Sequence, residues 1–287
     1  MTSRQELAVR IDKAKAAYPA TWNRIISGWK SKDTGEHAWL THSANYLLNT
    51  AGVRWALDPL ALPARLPGMV LPDYARDLDR LQLIVFSHAH SDHLDLELIS
   101  ALQKLPLLWV IPEFMLDKVI ETVPIPSERI IVPKPGSRII IEGLALTPFE
   151  GLHFHNQGGV PEMGYLVEFS GYRWLFPGDI RLYDATIILD FGRLDGVFAH
   201  LWLGKAGAQV DPPPMLEEFC AFYGAFNTGR LVITHLNEFG RDKRDLWDET
   251  HYQSVVQAFR KKASSLQIEM GLTGDKINLG TCVDLVG

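Results

Sequence analysis

The sequence predicts an α/β protein of four layers, two inner sheets covered on their outer faces by helices. Three observations carry this. Apolar, strand-like runs such as "LQLIVFS" and "RLVITHL" precede segments with helical periodicity. Both halves of the chain open with strands and continue by strand–helix alternation, without repeating sequence. No Gly-, Ser- or Pro-rich linker is long enough to separate two domains.

Residues 4 to about 28 place Ala, Leu, Ile and Trp at helical intervals, so residues 1–36 read as a helical extension packed on a main domain over 37–287. From Trp39 the pattern changes. "WLTHSANYLLNT" and "VRWALDPL" flank Ala51-Gly52 and read as a hairpin. The strand "LQLIVFS" leads into a helix across "DHLDLELISALQKL", and "LLWVIP" into a helix within "EFMLDKVIETV". "RIIVPKPGSRIIIEGLALTPFEG" reads as short strands separated by turns. The second half gives a hairpin in "GYLVEFSGYRWLFPGD" around Ser170-Gly171, then the buried strand "DGVFAHLWL". A helix in "PPMLEEFCAFYGAFN", the strand "RLVITHL" and a helix in "THYQSVVQAFRKKASSL" follow.

Composition narrows the classes. The chain has 287 residues, 47% of them hydrophobic and 22% charged, which suits a soluble globular protein. No segment approaches the roughly 18 apolar residues of a membrane span, and "MTSRQELAVRIDKAKAAYPA" lacks the apolar core of a signal peptide. Cys220 and Cys282 are too few and too distant for a disulfide framework or a Cys-based zinc site, which suits a cytoplasmic location. The net charge of −6 offers no long-range attraction to phosphate backbones, so nucleic acid is disfavoured as a partner. "FRKK" (259–262) and "GRDKRD" (240–245) read as solvated helix faces.

"HAHSDH" (88–93) carries the chemistry. Three histidines and an aspartate within six residues terminate an apolar strand. His88 and His90, two apart on an extended segment, point the same way and can converge on one ion. Asp92 and His93 lie where the chain turns into the next helix and can face a second. Ser91 or Asp92 could cap that helix, but capping does not explain the crowded imidazoles. Neutral imidazole and carboxylate donors suit Zn²⁺, with Mn or Fe as other occupants.

"HAHSDH" also matches the HxHxDH signature, and from about Trp39 onward the chain resembles the metallo-β-lactamase superfamily. The resemblance implies an αββα sandwich with metals at one edge between the sheets. It implies one ion on His88, His90 and a third-motif histidine, and another on Asp92, His93 and His235 of "LVITH". Asp179 of "LFPGD" would bridge them with a water or hydroxide, and Asp58 of "WALDP" would orient ligands from outside. In "TPFEGLHFHNQGG" both His153 and His155 are placed for the third motif, and the strand-then-histidine arrangement favours His153. "WLTHSANYLLNTAGVRWALDP" resembles the "WLGHS…DP" opening of the branch of ascorbate-6-phosphate lactonase and N-acylphosphatidylethanolamine phospholipase D. Thr41 and Ala44 there replace the usual Gly and Thr.

The function so implied is a metal-dependent hydrolase with two divalent ions, cleaving an ester, lactone or phosphodiester of a small or lipid-like substrate. Asp92 and His42 are its candidate catalytic groups, Asp92 to orient the nucleophile and His42, with His155 and His251 as alternatives, to move a proton. His251 also reads as a capping residue, and His37 and His200 as structural. A nuclease of the same superfamily and an iron-binding redox or sensor protein are the competing readings.

Overall fold

The computed structural model describes residues 3–32, 35–154, 158–187, 189–262 and 265–280. His155 and Cys282 therefore lie outside the described residues. A long helix, α1 (Ser3–Trp29), precedes the strands β1 (His37–Leu40), β2 (Tyr46–Thr50) and β3 (Val53–Leu57). The chain continues through α2 (Tyr74–Asp77), β4 (Leu83–Val85), α3 (Leu96–Leu102), β5 (Leu108–Val110), α4 (Glu113–Thr122) and β6 (Ile130–Ile131). It then passes to β7 (Ile139–Ile141), β8 (Leu144–Glu150), β9 (Met163–Phe169), β10 (Tyr172–Phe176) and β11 (Gly196–His200). The remaining elements are α5 (Leu216–Gly224), β12 (Arg230–Thr234), α6 (Glu249–Lys261), β13 (Gln267–Met270) and β14 (Lys276–Asn278).

These strands form two seven-stranded sheets, ordered β14-β1-β2-β3-β4-β5-β6 and β13-β12-β11-β10-β9-β8-β7. The chain crosses between sheets once after β6 and returns at the end, where β14 pairs with β1 through Ala38 and Ile277.

The period-two alternation of buried side chains explains the layering. Leu47, Ala56 and Ile84 face outward with Trp22 and Trp29 of α1 and Met115 of α4. Their neighbours Leu48, Trp55 and Val85 face inward, against Val167, Trp174, Phe198 and Val232 of the second sheet. Val197, Leu231 and Ile233 face the other way, onto Phe219 and Tyr223 of α5 and Val255 and Phe259 of α6. Strands buried on both faces read as continuous apolar runs, as they do in this sequence. The predicted four-layer sandwich is the fold.

Local chemistry sets the turns. Both expected hairpins close on two residues with positive φ, Ala51 and Gly52 in one, Ser170 and Gly171 in the other. That is the turn whose twist matches antiparallel strands. The helix after "HAHSDH" starts later than the sequence suggested. Asp95, not Ser91 or Asp92, caps α3 and accepts the Glu97 and Leu98 amides, which leaves Asp92 available to the site. No helix of the described residues is long and apolar enough to cross a membrane.

Strands β3 to β6 run parallel, as do β10 to β13. The carboxyl ends of parallel strands form a crevice where ligands of α/β folds bind. Asp58 follows β3, residues 88–93 follow β4, Asp179 follows β10 and His235 follows β12. The fold thus brings to one edge residues separated by 177 positions of chain.

Candidate metal centre

Among the described residues, three candidate donor sets lie at this edge; one of them, Asp58, His88 and His93, overlaps the other two, which share no residue. His88, His90 and His153 form one of these two, and Asp92, His93, Asp179 and His235 form the other, with one donor atom from each residue within 4.8 Å of the others in its set. All are buried except His90, which is half-buried. The spacings suit tetrahedral ligation, in which donors about 2.0–2.2 Å from an ion lie about 3.3–3.6 Å apart. His88 Nε2 is 3.2 Å from His90 Nδ1. His93 Nε2 is 3.4 Å from Asp179 Oδ1, and His235 Nε2 is 3.4 Å from Asp92 Oδ2.

Whether these residues fit a metal is tested by what they lack. The Nε2 atoms of His93 and His153 are buried without a hydrogen-bond partner. An orphaned buried nitrogen costs about 1–3 kcal/mol unless a ligand satisfies it. At His153 the Val160 amide lies 3.2 Å from Nδ1. Ligation through Nε2 would put the ring proton on Nδ1, exchanging that long contact for a metal bond. The donor set fits a divalent cation.

The electrostatics agree. Burial lowers the pKa of His88, His90 and His235 to about 4 and that of His153 to about 2, leaving neutral rings ready to ligate. His93 is the exception: burial opposes its charge, but Asp179, Asp58 and Asp92 outweigh burial and hold it well above the usual value. Burial likewise opposes ionisation of Asp92 and Asp179. Facing histidines, and Arg241 for Asp92, nevertheless hold both carboxyls well below the usual range. Burial and the nearby Asp179 carboxylate push Glu162 up to about 8. This concentration of buried acid calls for positive charge, which a divalent ion supplies.

Asp58 holds the first loop in place. Its Oδ1 accepts the Ser87 amide at 2.7 Å, and its Oδ2 accepts from the Ser87 hydroxyl and from His93 Nδ1–H at 2.9 Å. With His93 as a ligand, these bonds would orient it from outside. Asn45 joins the loops by donating from Nδ2 to the carbonyls of Asp58 and Asp92, both at 2.8 Å. Asp58 (φ 47°) and His235 (φ 65°) have left-handed backbones, sparsely populated for side-chain-bearing residues and concentrated at functional sites. His235 is pinned there by its amide, which donates to the Ser43 carbonyl at 2.7 Å.

Four contributors were not legible as site residues. Glu162 Oε1 accepts the Asp179 amide at 2.7 Å and lies 3.2 Å from His88 Nδ1. Gly178 beside it adopts φ 82°, a conformation that side-chain-bearing residues rarely take. His200, read as structural, donates from Nδ1 to Asp179 at 2.8 Å. Arg241 corrects the reading of "GRDKRD" as a solvated face: it is largely buried and ion-paired to both Asp92 and Glu238. Arg65 completes that chain by donating to Glu238 at 2.7 Å and to Ser91 at 2.9 Å. The Arg, Glu and His patterns around these residues carried no spacing signal.

His42 is wholly buried with neither ring nitrogen hydrogen-bonded, and burial, then Arg65, lowers its pKa to about 3. His251 is a capping residue, as one reading had it: its ring bonds Asp248 at the start of α6, and Nε2–H donates to the Ala208 carbonyl at 3.0 Å.

The family model of the beta-lactamase superfamily domain matches residues 56–236, so the chain belongs to that superfamily. Its class is that of the metallo-hydrolases built on this fold. The sequence matches no curated protein. Among solved structures it resembles Igni18, a metallo hydrolase of the archaeon Ignicoccus hospitalis, at TM-score 0.62 and 17% identity, over 85% of this chain and 98% of that one. An isothiocyanate hydrolase from Delia radicum gut bacteria is similar at TM-score 0.60 and 16% identity, over 85% and 100%. CmlA, a diiron beta-hydroxylase of Streptomyces venezuelae, is similar at TM-score 0.59 and 14% identity, over 88% of this chain and 55% of that one.

Proposed function

We propose that the protein is a dinuclear metal-dependent hydrolase, with zinc as the ion, acting on an ester, lactone or phosphodiester of a small or lipid-like molecule. One observation carries the reading: two buried donor sets, His88/His90/His153 and Asp92/His93/Asp179/His235, share one sheet edge. In this assignment His88, His90 and His153 would hold one ion and Asp92, His93 and His235 the other, with the Asp179 carboxylate available to both. Bound there, such ions would supply a water of lowered pKa and a Lewis acid for the oxygen of the bond to be cleaved.

The chain's own residues do the rest. Asp92, with one oxygen facing His235, orients the attacking water through its carboxylate. His42 is the candidate to accept the proton: both its nitrogens are unbonded, and burial with Arg65 nearby keeps the ring neutral, so it has no proton of its own to give beyond the one a neutral ring holds. Ser87 and Glu162 accept from His88 Nδ1–H and keep its Nε2 aimed at the ion. Asp58 does the same for His93. A buried edge excludes bulk water and strengthens each of these interactions.

The hydrolases Igni18 and the isothiocyanate hydrolase support this reading through their shared fold. CmlA, a diiron protein on that fold, supports iron as the second reading of the metal, with an oxidative rather than hydrolytic role. The buried, unpaired Cys220 suits the reducing cytoplasm as the compartment. The experiment is elemental analysis of the purified protein coupled to a panel of phosphodiesters, lactones, thioesters and β-lactams. Turnover that vanishes with chelation and returns with zinc supports the proposal. Bound iron with no hydrolysis of any panel member contradicts it.

A further inference from the structure

Beside the metal centre lies a cavity of about 460 Å³, a size suited to a small-molecule site. Arg241 links it to the centre through Asp92, and Gly159 in its wall packs on the His153 carbonyl. Three cationic side chains line it against one acid, Asp245. These charges are not equivalent. Arg241 is committed to Asp92 and Glu238, and Asp245 accepts the Ala206 amide at 2.6 Å.

Arg181 is uncommitted. Its backbone amide donates to the Leu152 carbonyl at 2.9 Å, which fixes it just past Asp179. Its guanidinium sits 5.6 Å from the Trp202 ring centre. Its Nε is buried without a hydrogen-bond partner, and no carboxylate pairs with it among the described residues. Lys205, exposed on the same wall, also has no ion pair among the described residues. A planar donor fork held on an aromatic ring, lining a cavity and with no carboxylate of its own, is a ready means of gripping a carboxylate or phosphate.

We propose that Arg181, seated on Trp202 and assisted by Lys205, anchors an oxyanion subsite that selects substrates bearing a carboxylate or phosphate beyond the bond cleaved. The proposal rests on the hydrolase reading above for its consequence in turnover, but not for its consequence in binding.

Two measurements test it. The metal-loaded full chain is given mono-4-nitrophenyl succinate and 4-nitrophenyl butyrate, matched aryl esters that differ in a terminal carboxylate. The ratio of their kcat/KM values favours the succinate and falls about ten-fold or more in Arg181→Gln, with Arg181→Lys retaining part of the preference. The chelator-treated full chain is then titrated calorimetrically with succinate and, separately, with methyl phosphate. At least one binds, its affinity falls about ten-fold or more in Arg181→Gln, and the arm that binds tells carboxylate from phosphate. Unchanged thermal unfolding of Arg181→Gln checks that the variant is folded.

Equal binding of both anions by wild type and Arg181→Gln, or no binding of either, overturns the subsite. So does an ester ratio unmoved by the substitution. Anion binding that depends on Arg181, alongside no turnover of any ester or panel member, upholds the subsite and sinks the hydrolase reading.

Discussion

His200 Nδ1 donates to Asp179 Oδ1 at 2.8 Å, and its Nε2 accepts from the Tyr46 hydroxyl at 3.0 Å. Tyr46 in turn lies 2.8 Å from Thr234 Oγ1. Tyr46 belongs to the first sheet and His200 and Thr234 to the second, so this chain of bonds fixes a proposed bridging carboxylate across the inter-sheet core. An outer partner of this kind is worth about 10- to 100-fold in metal affinity. His200→Leu should weaken zinc binding by that order in a chelator-competition titration while remaining folded. Unaltered affinity would leave His200 a packing residue, as the sequence alone suggested.

Asp58 makes a larger claim on stability. It serves Ser87 twice and His93 once while buried in a left-handed conformation. Removing its carboxylate in Asp58→Ala strands buried donors, at about 3 kcal/mol or more in urea unfolding, with metal content lost as well. Asp58→Asn, which keeps shape but not charge, should fall between. A wild-type urea midpoint for Asp58→Ala would show that the loop holds itself without it.

The acid side of the pH profile has a source remote from the centre. Burial raises the Asp248 carboxyl, but bonds from His251, Thr250 and Arg10 outweigh it and hold the group below its ordinary value. A carboxylate depressed in the folded state binds fewer protons there than in the unfolded chain. Its stabilisation is therefore full above the unfolded value of about 3.9 and is lost as pH falls through the lower folded value. Asp248→Asn should lower Tm at pH 7, and the difference from wild type should shrink below about pH 4. A difference that stays constant down to acid pH would assign the effect to helix capping geometry and not to charge.

How much of this was legible depended on whether a residue announces itself by spacing. His88, His90, Asp92 and His93 stand in one short run, and Asp58, Asp179 and His235 each end an apolar strand, so pattern and order marked them. The two sheets were legible because strands buried on both faces are unbroken apolar runs. Arg241, Glu162 and Arg65 reach the site from loops and a strand start, where only tertiary packing decides who meets whom. His200 was hidden differently: an imidazole within "GVFAH" looks like core until the partner opposite it, Asp179, is known. The start of α3 shifted for a local reason, since Asp95 offers the better cap and "HSDH" is free to turn toward the candidate metal centre.

The central claim is a paired-cation centre, and equilibrium zinc titration of the chelator-treated protein against Asp179→Asn tests it most directly. Two equivalents should bind per wild-type chain, and the substitution should remove at least one of them together with hydrolysis, while circular dichroism reports an intact fold. Saturation at one equivalent or none in the wild type, or two equivalents and full turnover in Asp179→Asn, would contradict the account.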